Sequence, residues 1–442
     1  METPICDFAR QYAQEKPLRL HMPGHKGFGP LGVEQWDLTE VEGADVLYHT
    51  DGIIQRSQEQ ASALFGSGKT LYSTEGSSLS IRAMLHLVTM YAAQMHKKPL
   101  IAAGRNAHKT FMTGAALLDV EVTWLYPQNR ESLLSCEITP KDLEQTLLGM
   151  EELPVAVYLT SPDYLGNRLD LQGISQVCRR YGVLLLVDNA HGAYLRFLPE
   201  SLHPLDLGAD LCCDSAHKTL PVLTGGGYLH ISKSAPKFFF EQAEQAMALF
   251  ASTSPSYLIL QSLDAVNRYL AEGYRGKLAK AVERIGAFKE ALPFPQVGQE
   301  PLKLTLAPKA YGYWGTELAS LLQQQGIVCE FSDPDFVTMM LSAEMVEADW
   351  ERLQKALCAV KRKEPISHTA PLLPHGEKCC SLREALLAPS QNLPVESCLG
   401  RILGAASVTC PPAIPILLCG ERIDEAAIAC FEYYGITHCR VL

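Results

Sequence analysis

The run Leu184-Leu185-Leu186-Val187-Asp188 closes an apolar stretch with a carboxylate. Thirty residues later, Cys213-Asp214-Ser215-Ala216-His217-Lys218-Thr219-Leu220-Pro221 sets a lysine among small and polar residues. The first stretch reads as a buried strand that delivers Asp188 at its C-terminal end, the second as a strand end and a short turn presenting Lys218. Working outward, apolar runs at 100–103, 120–125, 155–159, 183–187 and 211–213 alternate with helical patterns near 77–95, 109–117, 140–150 and 171–181. Thr139 is the expected N-cap of the third helix, with Pro140 at its first position. Residues 225–231 look like a further strand returning to the same sheet. Strands alternating with helices imply an α/β fold with a mostly parallel sheet and ligands outside the carboxyl ends of its strands.

The rest of the chain divides by pattern. Residues 1–56 carry scattered Pro, Gly and His and read as an N-terminal arm with little regular structure. A helix follows, with Ala61, Leu64 and Phe65 at core spacing and Gly66 as its stop. The large domain is expected over 57–298. A smaller α+β domain is expected over 299–362, ordered as a strand at 302–306, a helix at 316–325, strands at 328–331 and 337–341, and a helix at 343–360. Residues 361–377, with Pro365, Pro371 and Pro374, read as a linker, and 378–442 as a short C-terminal region.

The 442 residues, 47% hydrophobic and 20% charged, describe an ordinary globular enzyme of two or three domains. A formal net charge of −11 and no basic run longer than Lys361-Arg362-Lys363 argue against nucleic acid as a partner. The 14 cysteines follow no Cys-x-x-Cys spacing, so neither a metal site nor a dithiol redox centre is expected. No stretch has the length or the flanks of a signal peptide or a membrane span, which makes a cytoplasmic protein the default expectation.

A strand ending in a carboxylate, followed by a lysine in a polar turn, is how one fold holds pyridoxal 5'-phosphate. The lysine makes a Schiff base with the cofactor aldehyde, and the carboxylate keeps the pyridine nitrogen protonated. Supporting pieces surround Asp188 and Lys218. Gly76-Ser77-Ser78 opens an amphipathic helix, where backbone N–H groups, hydroxyls and the helix dipole suit a phosphate; a simple N-cap is the plainer reading of these residues alone. Ser215 and His217 flank the lysine closely enough to reach the same phosphate. His108, in Arg105-Asn106-Ala107-His108 after a strand, suits a ring lying on the cofactor. His-Lys also occurs at His25-Lys26, His96-Lys97 and His108-Lys109, but only Lys218 has the carboxylate strand upstream. Ala63-Leu64-Phe65-Gly66-Ser67-Gly68-Lys69-Thr70 fits a relaxed phosphate-loop pattern of an ATPase. That motif requires a strand before it and a helix after it, and here the order is helix and then extended chain.

These stretches resemble the ornithine/lysine/arginine decarboxylases of the aspartate-aminotransferase fold, fold-type I pyridoxal-phosphate enzymes, and the resemblance runs through most of the chain. It covers Leu20-His21-Met22-Pro23-Gly24-His25-Lys26-Gly27, Asp37-Leu38-Thr39-Glu40-Val41-Glu42-Gly43, Glu75-Gly76-Ser77-Ser78 and Arg105-Asn106-Ala107-His108-Lys109. It continues through Ser161-Pro162-Asp163-Tyr164-Leu165-Gly166, Asp188-Asn189-Ala190-His191-Gly192, the Lys218 turn, and the tail Cys410-Pro411-Pro412-Ala413-Ile414-Pro415 with Gly420-Glu421. With no receiver-like wing ahead of the arm, the chain is similar to the short, wingless members.

The resemblance implies Lys218 as the Schiff-base lysine, Asp188 as the pyridine partner, His108 stacked on the ring and Ala190 on its other face. It implies a phosphate cup of Gly76, Ser77, Ser78, Ser215 and His217, and Glu42, Asp45 and Glu421 as candidates for the distal cation of a basic amino acid. It also implies a homodimer or higher homo-oligomer. Glu75, Asn189, Cys410, Ala413 and Cys419 depart from the family's common Asn, Glu, Tyr, Gly and Pro. The expected reaction is decarboxylation of arginine, lysine or ornithine. An aminotransferase or lyase on the same fold, or a non-catalytic cofactor-binding protein, is the alternative.

Overall fold

The structure, a computed structural model, describes residues 1–128, 132–408 and 413–442. Two compact units interleave along the chain: residues 1–99, 153–159 and 171–276 form one, and residues 100–152, 160–170 and 277–442 the other. They do not follow the contiguous segments expected from the sequence.

The strands of the central, mostly parallel sheet are β1 (Lys69–Ser73), β2 (Leu100–Gly104), β3 (Glu121–Leu125), β4 (Ala156–Thr160), β5 (Leu184–Asp188), β6 (Leu211–Asp214) and β7 (Gly227–Ile231). In the first unit their order is β1-β7-β6-β5-β4. β5 and β6 pair in parallel, while β7 runs antiparallel to both β6 and β1. Every residue of β5, β6 and β7 is buried, which is why these segments read as continuous apolar runs rather than alternating ones. The helix Ile53–Phe65 ends as expected at Gly66, whose φ of 72° suits a residue without a side chain and whose N–H returns to the Ser62 carbonyl.

The arm departs from expectation. Pro4–Glu15 is a helix, with Ile5, Cys6 and Ala9 buried. Its first-turn N–H groups at Ile5 and Cys6 donate to the carboxylate of Asp264, at 3.0 and 2.9 Å. Asp264 also accepts the Ser57 hydroxyl at 2.6 Å. A cap supplied from 259 residues away leaves no local signal, so sequence pattern alone misses this helix.

In the second unit β2 and β3 pair in parallel. The helix Pro140–Leu148 starts in a capping box between Thr139 and Asp142, as the sequence suggests. A four-stranded antiparallel sheet follows in the order β10-β11-β9-β8, built from β8 (Gln296–Val297), β9 (Lys303–Leu306), β10 (Phe331–Ser332) and β11 (Val337–Met340). It lies in sequence with the helices Gly315–Gln324 and Glu347–Cys358, in the expected α+β order. The strand expected at 328–331 is reduced to Phe331–Ser332, and Val328 is exposed. The C-terminal region pairs β12 (Gln391–Pro394) with β13 (His438–Val441) around a core that includes Leu403, Ile416, Ile423, Phe431 and Val441. Among the described residues no helix is long and apolar enough to cross a membrane, and no cysteine is in a disulfide.

Candidate functional site

Because Asp188 lies opposite Cys213 in the parallel β5–β6 pair, the two strands end together, and the chain leaving β6 turns directly into the lysine segment. Lys218 sits in the single-turn helix Ala216–Thr219. Its Nζ is 3.2 Å from Nε2 of His191. Asp188 is 3% exposed and accepts hydrogen bonds from the Tyr158 hydroxyl at 3.1 Å and the Ala190 N–H at 3.2 Å. Burial, together with the Asp188 charge, pushes the Tyr158 hydroxyl well above its ordinary range, so that it stays protonated and donates.

A second cluster forms where β1 and β7 meet the helix Gly76–Gln94. Gly76 begins that helix at φ 66°, and its N–H donates to the Gly225 carbonyl at 2.6 Å. β7 passes so close that a β-carbon on Gly227 would stand 3.0 Å from the Gly76 carbonyl carbon and 3.2 Å from the Ser77 nitrogen. Only glycine fits there. The Ser215 hydroxyl donates to that of Ser77 at 2.9 Å. His217 directs both its backbone N–H and its Nδ1 to the Gly226 carbonyl, and burial lowers its pKa. A β-carbon on Gly76 would meet the His217 ring at 3.6 Å. Ser78 is half-buried on the same helix turn, and Ala190 is buried just past β5. Glu75, which departs from the family's Asn, accepts the Ser252 N–H at 2.8 Å.

The remaining candidates fare differently. His108, in the second unit, is the N-cap of the helix Lys109–Leu117. Its Nδ1 accepts the Thr110 N–H at 3.2 Å, which places the ring proton on Nε2. The tail is bound to the same loop: Arg105 donates to the carbonyls of Pro415 and Ile416, and the Lys109 N–H donates to the Ala413 carbonyl at 2.9 Å. Ala413 stands at φ 59°, the left-handed region where the family's glycine would carry no cost. Cys410, Pro411 and Pro412 lie outside the described residues. Glu421 is buried, accepts the Leu418 N–H at 3.1 Å and stands beside Tyr126. Burial raises it to about 7 against the pull of that N–H and of Arg105.

Glu42 is exposed. Asp45 corrects the sequence expectation. Its carboxylate accepts the N–H groups of Val46, Asp51, Gly52, Ile54 and Gln55 at 2.9 to 3.3 Å, so it caps the helix Ile53–Phe65 and has no capacity left for a substrate cation.

Lys69, the lysine of the phosphate-loop-like stretch, lies on β1 and pairs with Glu244 at 2.8 Å. The helix-then-strand context therefore rules out that motif, as the sequence order indicated. Sequence reasoning missed His191 and Tyr158. His191 is reachable only through the turn after β5, and the one signal for Tyr158 is a hydroxyl in an otherwise apolar strand.

The profile of the Orn/Lys/Arg decarboxylase major domain matches residues 3–299. The chain is 28% identical to YaaO of Bacillus subtilis, an uncharacterized protein, across 97% of this chain and 93% of that one. It is also 28% identical to the arginine decarboxylase of Halalkalibacterium halodurans, across 97% and 92%. Among solved structures, the lysine decarboxylase LdcF of Francisella novicida superposes with a TM-score of 0.81 at 17% identity, covering 100% of this chain and 81% of that one, a likeness of fold. On its sequence, the chain belongs to the Orn/Lys/Arg decarboxylase family.

Proposed function

We propose that the protein releases carbon dioxide from a basic amino acid, namely arginine, lysine or ornithine, with pyridoxal 5'-phosphate held in the first unit. The observation that carries this reading is the convergence, in one unit of a decarboxylase-family chain, of an amine, a buried carboxylate and a cup of small hydroxyl residues. The residues present fit that cofactor. Lys218 Nζ is the amine for its aldehyde, and Asp188, already supplied with a donor by Tyr158, is the anion for its ring nitrogen. The start of the helix Gly76–Gln94, with Ser77, Ser78, Ser215 and His217, is the seat for its phosphate. When bound, the cofactor withdraws the electron pair left on the substrate Cα as carbon dioxide departs.

The chain's own residues do the rest. His191 Nε2 gives Lys218 Nζ a partner for proton exchange at 3.2 Å. Ala190 offers a small surface to one ring face, and His108 is assigned to the other. Holding the bond to the carboxylate perpendicular to the ring is the orientation the pocket has to supply. Glu42 and Glu421 remain the acids assigned to the distal cation. A homodimer completes the reading. Leu18, Leu20, Phe28 and Leu31 of the arm each leave more than four-fifths of their surface exposed, apolar area that a second copy would cover.

The test is incubation of the cofactor-loaded protein with each basic amino acid in the absence of a keto acid. Carbon dioxide and the matching diamine, or agmatine from arginine, are expected from one of them. A requirement for a keto-acid acceptor would move the reading to an aminotransferase. Release from none of the three would remove it.

A further inference from the structure

Directly behind the cofactor residues lies a set of buried polar groups that the reaction does not use. Asp214, the last residue of β6 and the neighbour of Ser215, is fully buried. Its Oδ2 accepts from Nε2 of His203 at 3.1 Å and of His230 at 3.2 Å. Its Oδ1 accepts from Nδ2 of Asn189 at 2.7 Å, and Asn189 follows Asp188. His230 Nδ1 lies 2.8 Å from the Thr70 hydroxyl on β1, which is 2.7 Å from that of Ser67. One carboxylate thus ties together the ends of β5 and β6, the middle of β7 and the loop at His203.

The trio of His203, Asp214 and His230 has the composition of a metal site, with ligand atoms within 4.8 Å of one another. The hydrogen bonds contradict that role. His203 Nδ1 accepts the Leu205 N–H at 3.4 Å, so the ring proton is on Nε2, the atom a metal would need bare. The cluster is a hydrogen-bonded network.

Two details show that Asp214 governs it. Burial alone would raise its carboxyl, but the hydrogen bonds and charge of His203 and His230 prevail and hold it well below the usual carboxylate range. The Asn189 amide turns its donor to Asp214 although its own Oδ1, fully buried, then finds no partner among the described residues. That oxygen occupies the space that a side chain on Gly192 would enter, 2.0 Å from the position of a β-carbon.

We propose that Asp214 is a positioning residue: through Asn189 it fixes the separation between Asp188 and the turn that carries Ser215 and Lys218. The inference rests on the cofactor reading above. A shift of either strand end by about 1 Å takes a 2.7 Å hydrogen bond out of range, and misplacement on that scale is costly at a reacting centre.

The test exchanges the two side chains. Asp214→Asn leaves two amides facing each other, and Asn189→Asp leaves two carboxylates. The double exchange restores one carboxylate and one amide, with the new amide oxygen still able to accept from both histidines. Cofactor affinity is measured by absorption titration, the attachment point by borohydride labelling, and the stability of the cofactor-free protein by thermal melting. Each single variant is expected to weaken cofactor binding about tenfold, the scale of one lost buried hydrogen bond. The double variant should return to within about threefold of the parent.

A double variant as weak as the poorer single one overturns the proposal. So does a lowered melting temperature with unchanged cofactor affinity, because that is the mark of a merely structural role. Should Asp214→Asn fail to fold, Asn189→Asp against the double exchange makes the same comparison. A parent protein that binds no cofactor overturns the functional reading itself, before any variant is compared.

Discussion

At the scale of single residues, the chemistry is divided between a charge that must stay and a proton that must move. Asp188 is sealed under Tyr158 and Ala190, while Lys218 stands beside a histidine able to exchange protons with it. Asp188→Ala should fold, bind cofactor and lose turnover on the order of 100-fold or more, as expected when a group that stabilises developing charge is removed. Carbon dioxide release near the parent rate in a variant with full cofactor content would refute the role. His108→Ala should lower turnover more than cofactor content, since a ring face positions the cofactor whereas the lysine and the phosphate seat retain it. The ratio of the two, read by activity and absorbance on one sample, decides. The choice of Lys218 among four His-Lys pairs was legible because a strand pattern ends at Asp188 upstream of that pair alone. His191 was not legible, because its approach to Lys218 depends on how a turn folds back. Asp45 misled for the opposite reason: a lone acid in a matching segment looks available until the chain returns on it.

At the scale of elements, the ends rather than the middles decide function and stability. Asp45 closes the exposed N–H groups of a helix that begins eight residues after it. Asp45→Ala should therefore cost about 1–2 kcal/mol in denaturant unfolding. Glu42→Ala should stay within about 0.5 kcal/mol. Equal losses for the two would contradict the assignment. Glu421 gives the tail a dependence on pH. Its folded pKa of about 7 lies above the model value of 4.5, so the folded state binds the extra proton. Stability should fall as pH rises from about 4.5 to about 7 and then level off. The full effect is on the order of 3 kcal/mol at ~1.4 kcal/mol per pKa unit. Urea midpoints of the parent and of Glu421→Gln across that range should diverge in this sense, and parallel curves would discard it. The central strands and the helix at Thr139 were legible from apolar runs and local caps. The helix Pro4–Glu15 was not, since its cap is non-local.

At the scale of the molecule, the family and the α/β class were legible because both follow from segments in order along the chain. The compact units were not. Contiguous pattern cannot show that residues 153–159 and 171–276 join residues 1–99, while 160–170 join the other body. The clasp of Asp264 on Ile5 and Cys6 has a consequence for biosynthesis. Asp264 leaves the ribosome long after the segment it secures, so the first helix lacks its anchor for more than half of translation. Closing so long a loop is also slow in a refolding chain. In pulse-labelled hydrogen exchange during refolding, the amides of Ile5 and Cys6 should gain protection with the latest phase, and Asp264→Ala should leave them open while the β5–β6 amides are already closed. Protection of the two amides ahead of the central strands would show that the helix is held by something nearer in sequence. Until residue 264 is made, the nascent chain presents Ile5, Cys6 and Ala9 as an uncovered apolar face, the kind of surface that chaperones bind.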